Sequence, residues 1–215
     1  MNLQEIRIKL ERKKGQKEQI LTSTTKVKDI IKGLEKDIII SEKARTIMQI
    51  VAQETQQELE YRLSEMVSLC LKSVFPNPYE LVVKFVTRRE KAECDLLFKR
   101  HNLLRKPKEA SGIGSVDVGA FGLRIASWSL SKPRTRPLLL LDEPFKHLKG
   151  IDANIKVIQM VKALSKKLGL QIVMISDERV PMEEIEKGAD KIFKVTMKND
   201  ISSIAVYKTK ESSND

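Results

Sequence analysis

The chain has 215 residues, of which 41% are hydrophobic and 32% charged, enough for one ordinary domain plus an extension. Its net charge of +11 favours an anionic partner, such as nucleic acid or a nucleotide. Residues 1–71 are close to neutral, so the excess belongs to the rest of the chain. The alternative is a lysine-rich solvated surface that binds no partner.

The two cysteines, Cys70 and Cys94, have neither zinc-site spacing nor a disulfide framework, which is typical of a reducing compartment. No apolar run approaches the length of a membrane span, and the N-terminus lacks the apolar core of a secretory signal. We therefore expect a cytoplasmic protein that does not engage a membrane.

The first segment, residues 1–73, is predicted to be a helical stalk. It contains no proline and is rich in Lys, Glu, Gln, Leu and Ile. Apolar residues recur in steps of three and four, as in a coiled coil, with two phase slips that leave open one long helix or a helical hairpin. These seam residues are Val27, Ile31, Leu34, Ile38, Ile40, Ala44, Ile47, Val51, Leu59, Leu63, Met66 and Cys70. We expect them to pair with a helix of another chain, either a second copy or a different protein.

Residues 74–210 are predicted to form an α/β lobe. Two prolines near residue 77 end the stalk, and residues 79–87 and about 94–98 alternate as a β-hairpin. Further on come a helix over 155–168 closed by Gly169, a buried strand over 170–176 and a short helix over 182–187. A strand pair over 191–197 and 201–209 ends the lobe, and residues 211–215 are expected to be disordered.

Between these elements lies a glycine-rich segment, residues 106–120, predicted to be a loop followed by a buried helix over 121–130. Glycines allow a backbone to approach a ligand closely, and a helix N-terminus aimed at the loop attracts anions. The alternative is a flexible loop that caps an ordinary helix. The residues concerned are Ser111, Gly112, Gly114, Ser115 and Gly119.

The run over residues 138–143 is predicted to be a strand buried on both faces that ends in two acids, because four leucines stand between Pro137 and Pro144. It ends in Asp142 and Glu143, at the sheet edge where open α/β folds bind ligands. In phosphoryl-transfer sites one such acid holds Mg²⁺ and the next orients water. The alternative is a core strand that stops at two solvated acids.

Taken in order, residues 45–210 resemble the C-terminal lobe of ABC-type ATPase heads in structural-maintenance-of-chromosomes (SMC) and SbcC-like DNA repair proteins, and most of all small ATPase-like proteins of phages and mobile elements. SGIGSVDVGAFGLRIASWSL resembles the signature loop and its helix, LLLLDEPFKHL the Walker B strand and D-loop, and LQIVMISDE the switch strand. The resemblance implies an α/β fold: the C-terminal half of an ABC-type head, with mainly parallel core strands, flanking helices and β-hairpins, on an N-terminal coiled-coil helix.

The same resemblance implies roles for individual residues. Asp142 would assist Mg²⁺ and Glu143 would polarise the hydrolytic water. His147, with Leu148, falls in the D-loop, which touches the opposite site. The signature-like residues would face the γ-phosphate of ATP held by an opposing subunit, and they are Ser111, Gly112, Gly114 and Ser115.

Departures from the family pattern limit these roles. No G-x-x-x-x-G-K-[ST] occurs, so the phosphate-cradling loop and its lysine are missing. Ile113, Ser115 and Lys149 replace usual signature and D-loop residues, and no histidine ends the switch strand. ATP and Mg²⁺ binding would then depend on a partner lobe that carries the P-loop.

Three hypotheses follow. The chain is half of a split ATPase that acts in DNA recombination, repair or end processing, hydrolysing ATP only with a P-loop chain and possibly working beside a nuclease. Alternatively, it is a non-catalytic dimeric DNA-binding or scaffolding module derived from such a head. A third, weaker hypothesis is a metal-dependent nuclease or nucleotidyl enzyme whose acidic cluster comprises Asp142, Glu143, Asp177 and Glu178.

Overall fold

A computed structural model describes residues 3–89, 91–110, 112–176 and 180–209 of the chain. Within these ranges no helix is both long and apolar enough to cross a membrane. The fold divides into two compact units, residues 1–55 and 56–215. The described part of the first unit is entirely helical, and the second unit contains all the strands.

Helix α1 runs without interruption over Leu3–Val74, so the stalk is one helix and not a helical hairpin. The absence of proline and the dominance of good helix formers explain its length, and the isolated Gly15 and Gly33 are tolerated. Every residue described in the first unit is exposed, including the apolar seam positions there. The coiled coil and its partner helix therefore stay predictions.

The last turns of α1 belong to the core of the second unit. Val67, Cys70, Leu71 and Val74 are buried, so Cys70, expected in a seam facing another chain, packs inside its own chain instead. Burial in this apolar setting raises the pKa of the Cys70 thiol to about 11. The C-terminal end of the apolar seam of α1 is therefore buried within this chain.

The predicted hairpin is confirmed and is extended by one strand. Strands β1 (Glu80–Arg88), β2 (Lys91–Arg100) and β3 (Leu103–Arg105) form an antiparallel sheet in that order. Alternate residues of β1, including Leu81 and Val83, point into the core. The Leu81 amide donates a 2.9 Å hydrogen bond to the Ser68 hydroxyl, which ties the sheet to α1.

The prediction of a glycine-rich loop over residues 106–120 is wrong, because most of this segment is helical. Helix α2 spans Pro107–Ala110, and α3 spans Ile113–Leu130, eight residues longer at its start than predicted. The glycines are used for packing: a Cβ on Gly119 would lie 3.1 Å from the Phe98 ring, and one on Gly122 would lie 3.1 Å from the Val67 backbone of α1. Small residues on one face of α3 let it press against its neighbours, which favours helix over loop.

Strands β4 (Leu138–Asp142) and β5 (Gln171–Ile175) form the predicted parallel pair, joined through helix α4 (Ile151–Leu168). Gly169 adopts φ 61° after α4, as expected of a helix C-cap. The prediction that these strands are buried on both faces is wrong, because one face of the pair is exposed.

The chain continues through helix α5 (Met182–Gly188) into an antiparallel hairpin, β6 (Lys191–Lys198) and β7 (Ile201–Thr209), as predicted. Asn199 and Asp200 both have positive φ, the geometry that a tight hairpin turn requires. Residues 177–179 and 210–215, which include the predicted tail, lie outside the described residues.

Candidate functional site

Two carboxylates mark the C-terminal end of β4. Asp142 is the last residue of the strand, in register with Ile175 of β5, and it is exposed. Strand β5 ends beside it at the same sheet edge. Residues Asp177 and Glu178, which follow β5 in sequence, lie outside the described residues.

Glu143 has an unusual backbone conformation. Its φ is 38°, in the left-handed region that residues other than glycine seldom occupy and that costs on the order of 1–3 kcal/mol. The Glu143 amide donates a 3.2 Å hydrogen bond to the Ile175 carbonyl, which fixes this conformation across the two strand ends. Such strain is concentrated at functional sites, and here it turns the chain sharply immediately after the strand.

The turn after Glu143 is anchored to the core. Phe145 is buried edge-on against Phe121 of α3, with ring centroids 5.4 Å apart, and Leu148 is buried as well. The Lys146 ammonium lies 3.4 Å from the Glu143 carboxylate. Because both side chains are largely exposed, this ion pair contributes at most about 1 kcal/mol.

The first turns of α3 pack closely against the turn that follows Glu143. A Cβ on Gly114 would lie 3.1 Å from the His147 carbonyl oxygen and from Leu148 Cα, so this glycine is needed for close contact with the protein and not with a ligand. Asp117 accepts a 2.9 Å hydrogen bond from the His147 amide, and its carboxylate lies 3.2 Å from His147 Nδ1. The sequence analysis did not single out Asp117, because its role depends on this contact with a residue thirty positions later in the chain.

The N-terminus of α3 is open. Gly112 precedes the helix, no side chain among the described residues caps it, and an added Cβ on Gly112 would meet nothing within 4 Å. The Ser115 amide donates a 3.0 Å hydrogen bond to the Gly112 carbonyl. In general, the first amides of a helix lack acceptors within the helix. Ser111 lies outside the described residues.

The predicted residues therefore fall into two groups. Gly114 and His147 are in contact, through the turn that follows β4. In the described part of the chain, neither Asp142 nor Glu143 forms a hydrogen bond or ion pair with Gly112, Gly114 or Ser115. The acidic strand end and the start of α3 thus share no direct polar contact within the described residues.

No group of three or more His, Cys, Asp or Glu side chains within the described residues could hold a metal ion alone. A single exposed carboxylate such as Asp142 fits Mg²⁺ that keeps most of its ligands from phosphates and water.

The outer face of the β4–β5 pair leads directly to Asp142. Its apolar side chains are exposed to solvent, by 45% at Leu138, 70% at Leu140, 48% at Val173 and 59% at Ile175. The other face is covered, with Leu141 buried and Ile172 packed against the core. Parallel sheets are almost always covered on both faces, so this open face (Leu138, Leu140, Val173 and Ile175) lacks a covering layer in the isolated chain.

This fold, an α/β lobe on a long N-terminal helix, is that of part of an SMC ATPase head. No protein-family profile and no curated protein sequence matches the chain. The solved structures that do match include one from work on ATP-driven dimerization and DNA-stimulated activation of SMC ATPases, with a TM-score of 0.52 and 18% identity over 72% of this chain and 89% of that one.

Two further matching structures come from longer chains. One is an SMC head bound to the C-terminal winged-helix domain of ScpA, with a TM-score of 0.53, 20% identity and 74% of this chain covered. The other is an SMC head with a coiled coil and joint from Pyrococcus yayanosii, with a TM-score of 0.55, 19% identity and 74% of this chain covered. This chain spans 44% and 28% of their lengths.

Proposed function

We propose that this chain is one half of a split SMC- or SbcC-like ATPase head that acts in DNA recombination, repair or end processing. A separate chain bearing the P-loop would supply the nucleotide pocket. The observation that carries the proposal is the open face of the β4–β5 pair, which ends in Asp142. A lobe docked on that face would bring bound ATP to the two carboxylates.

Each candidate residue has a role in this arrangement. Asp142 would provide one oxygen ligand to Mg²⁺ that is otherwise held by the triphosphate, and Glu143, fixed by its strained backbone, would orient or deprotonate the attacking water. Phosphoryl transfer needs positioned charge more than covalent help, so two carboxylates at a rigid strand end suffice for this half of the site.

The open N-terminus of α3 would serve the other nucleotide of a two-headed assembly. Its first amides and the Ser115 hydroxyl are suited to the γ-phosphate of ATP held by an opposing subunit. Ser111 and Gly112 complete this set. His147 would act through the turn it shares with Gly114, linking that end of α3 to the segment that follows the carboxylates.

A second candidate function is a non-catalytic DNA-binding or scaffolding module. The observation in its favour is the combination of a +11 charge with no P-loop motif anywhere in the sequence. The exposed apolar seam of α1 would then pair two copies of the chain.

Mixing the protein with a P-loop chain that ends in a coiled-coil helix, and measuring ATP turnover, separates the two functions. We expect turnover only in the mixture, and a loss of at least 100-fold for Glu143→Gln, in line with the loss of a positioned base or water-orienting group. Glu183→Gln, an exposed acid on α5, is the matched control and should leave the rate unchanged. Turnover that is indifferent to Glu143→Gln ends the ATPase proposal.

A further inference from the structure

The parallel pair is polarised along its strands. Its acids lie at the C-terminal end, and the opposite end carries only basic charge. Residues 118–141 and 153–176, which run from α3 into β4 and from α4 through β5, contain eight Lys and Arg residues and no Asp or Glu. Five of these eight cations lie in the two segments that lead into the strands.

Two segments bring this charge together. The connector between α3 and β4 carries Lys132, Arg134 and Arg136, and the end of α4 carries Lys166 and Lys167. Both segments lead into their strands at the same edge of the sheet. Leu138 is in register with Gln171, and the Gln171 amide donates a 2.8 Å hydrogen bond to the Pro137 carbonyl. We call the surface formed by these five side chains the basic end.

The cations of the basic end are exposed, and none has an ion-pair partner within the described residues. Some cations elsewhere are paired with nearby acids, as in Arg62 with Glu58, Lys72 with Glu80 and Arg88 with Asp95. The nearest acidic element, α5, packs against α4 at Ile158 and Lys162, earlier in that helix than Lys166. The basic end thus combines high positive charge with little internal neutralisation.

The ordinary explanation accounts for only part of this surface. Lysines in the last turn of α4 complement the helix dipole, which contributes about 0.3–1 kcal/mol and explains Lys166 and Lys167. In the connector, Lys132 follows the C-terminal end of α3 by two residues and complements that helix in the same way, so this explanation leaves Arg134 and Arg136. The connector is also held in place: the Leu138 amide bonds the Arg136 carbonyl at 2.8 Å, and the Arg134 guanidinium lies over the Trp128 ring at 6.0 Å.

We propose that the basic end is a binding surface for the phosphate backbone of duplex nucleic acid, at the edge of the sheet opposite the carboxylates. Fixed guanidinium groups suit phosphate oxygens, and a cluster of unpaired cations binds a polyanion by releasing its counterions. The inference does not depend on ATP hydrolysis, because binding here needs neither nucleotide nor a P-loop chain.

The test measures binding of the full chain to a random-sequence DNA duplex, without nucleotide, over a range of salt concentrations. The site variant combines Lys132→Gln, Arg136→Gln, Lys166→Gln and Lys167→Gln. The control variant removes the same charge from exposed positions elsewhere, with Lys84→Gln, Lys91→Gln, Lys194→Gln and Lys198→Gln. Circular dichroism checks that both variants fold.

We expect the wild-type affinity to fall about 100-fold between roughly 50 and 200 mM salt, as for four neutralised phosphates. The site variant should bind at least 10-fold more weakly at low salt, with a shallower salt slope, and the control should stay within about threefold of the wild type. Equal losses in both variants would make the effect one of net charge and overturn the proposal. Equally strong wild-type binding to polyglutamate would overturn it too, since the surface would then not select nucleic acid.

Discussion

The two faces of the β4–β5 pair carry the same kinds of side chain and have opposite surroundings. On one face Leu141 is buried and Met174 packs against the core, whereas on the other Leu140 and Val173 are exposed. Local sequence does not distinguish the two faces, since one is built mainly from Leu, Ile and Met and the other mainly from Leu, Val and Ile. The difference shows that an apolar strand face can be open in this chain, and the proposed function assigns a second covering layer to it.

The largest expected effect is a difference in stability between two variants, each of which truncates a leucine on one face of the pair. Leu141→Ala should lower the free energy of unfolding by about 2–5 kcal/mol, because it leaves a cavity in a packed core. Leu140→Ala in the isolated chain should change it by no more than about 0.5 kcal/mol, since that side chain is mostly in solvent. Urea denaturation of both variants checks this, and similar losses at the two positions would show that the outer face is covered after all.

A smaller difference in stability is expected between two glycine-to-alanine variants, one at a packed contact and one in an open part of the chain. Gly122→Ala places a Cβ 3.1 Å from the Val67 backbone and 3.3 Å from Cys70 Sγ, so overpacking should cost about 1–3 kcal/mol. Gly33→Ala in the open part of α1 meets nothing and should stabilise the helix by up to about 1 kcal/mol. Thermal unfolding followed by circular dichroism reports both signs, and a gain at Gly122 would contradict the close α1–α3 packing.

The smallest expected effect concerns the buried thiol between α1 and α3. The pKa of Cys70 is raised by burial from the ordinary 9.0 to about 11, so the unfolded chain ionises first as the pH rises. This stabilising contribution is complete below about pH 8 and is lost as the pH climbs towards 11, with a loss under about 1 kcal/mol by about pH 9.5. Cys70→Ala should remove that part of the pH dependence. An unchanged pH profile in the variant would show that the thiol is not held neutral.

Sequence alone predicted most elements of the fold, for identifiable reasons. The long helix, the two hairpins, the parallel pair and the Gly169 cap follow from periodicity, turn residues and proline positions, all of which are local. The start of α3 was missed because glycine is read as a loop former when its neighbours are unknown. In the folded chain Gly114, Gly119 and Gly122 are contact points with distant segments.

The candidate site was predictable only in part. Asp142 and Glu143 were placed at a strand end by an apolar run that stops at two acids. Asp117 was not found, because its importance comes from a contact with His147 thirty residues away. The exposure of Leu140 could not be predicted either, since in the sequence it is indistinguishable from the buried Leu141 beside it.

The central claim is that a second polypeptide covers the open face and completes the nucleotide site. The most direct measurement is ATP turnover by this protein mixed with a P-loop chain, comparing Leu140→Lys with Leu103→Lys, an exposed leucine on β3. We predict no turnover by either chain alone, turnover in the mixture, a loss of at least 10-fold for Leu140→Lys and no change for Leu103→Lys. ATP turnover by the isolated protein, or a mixture in which both variants behave like the wild type, would contradict the claim.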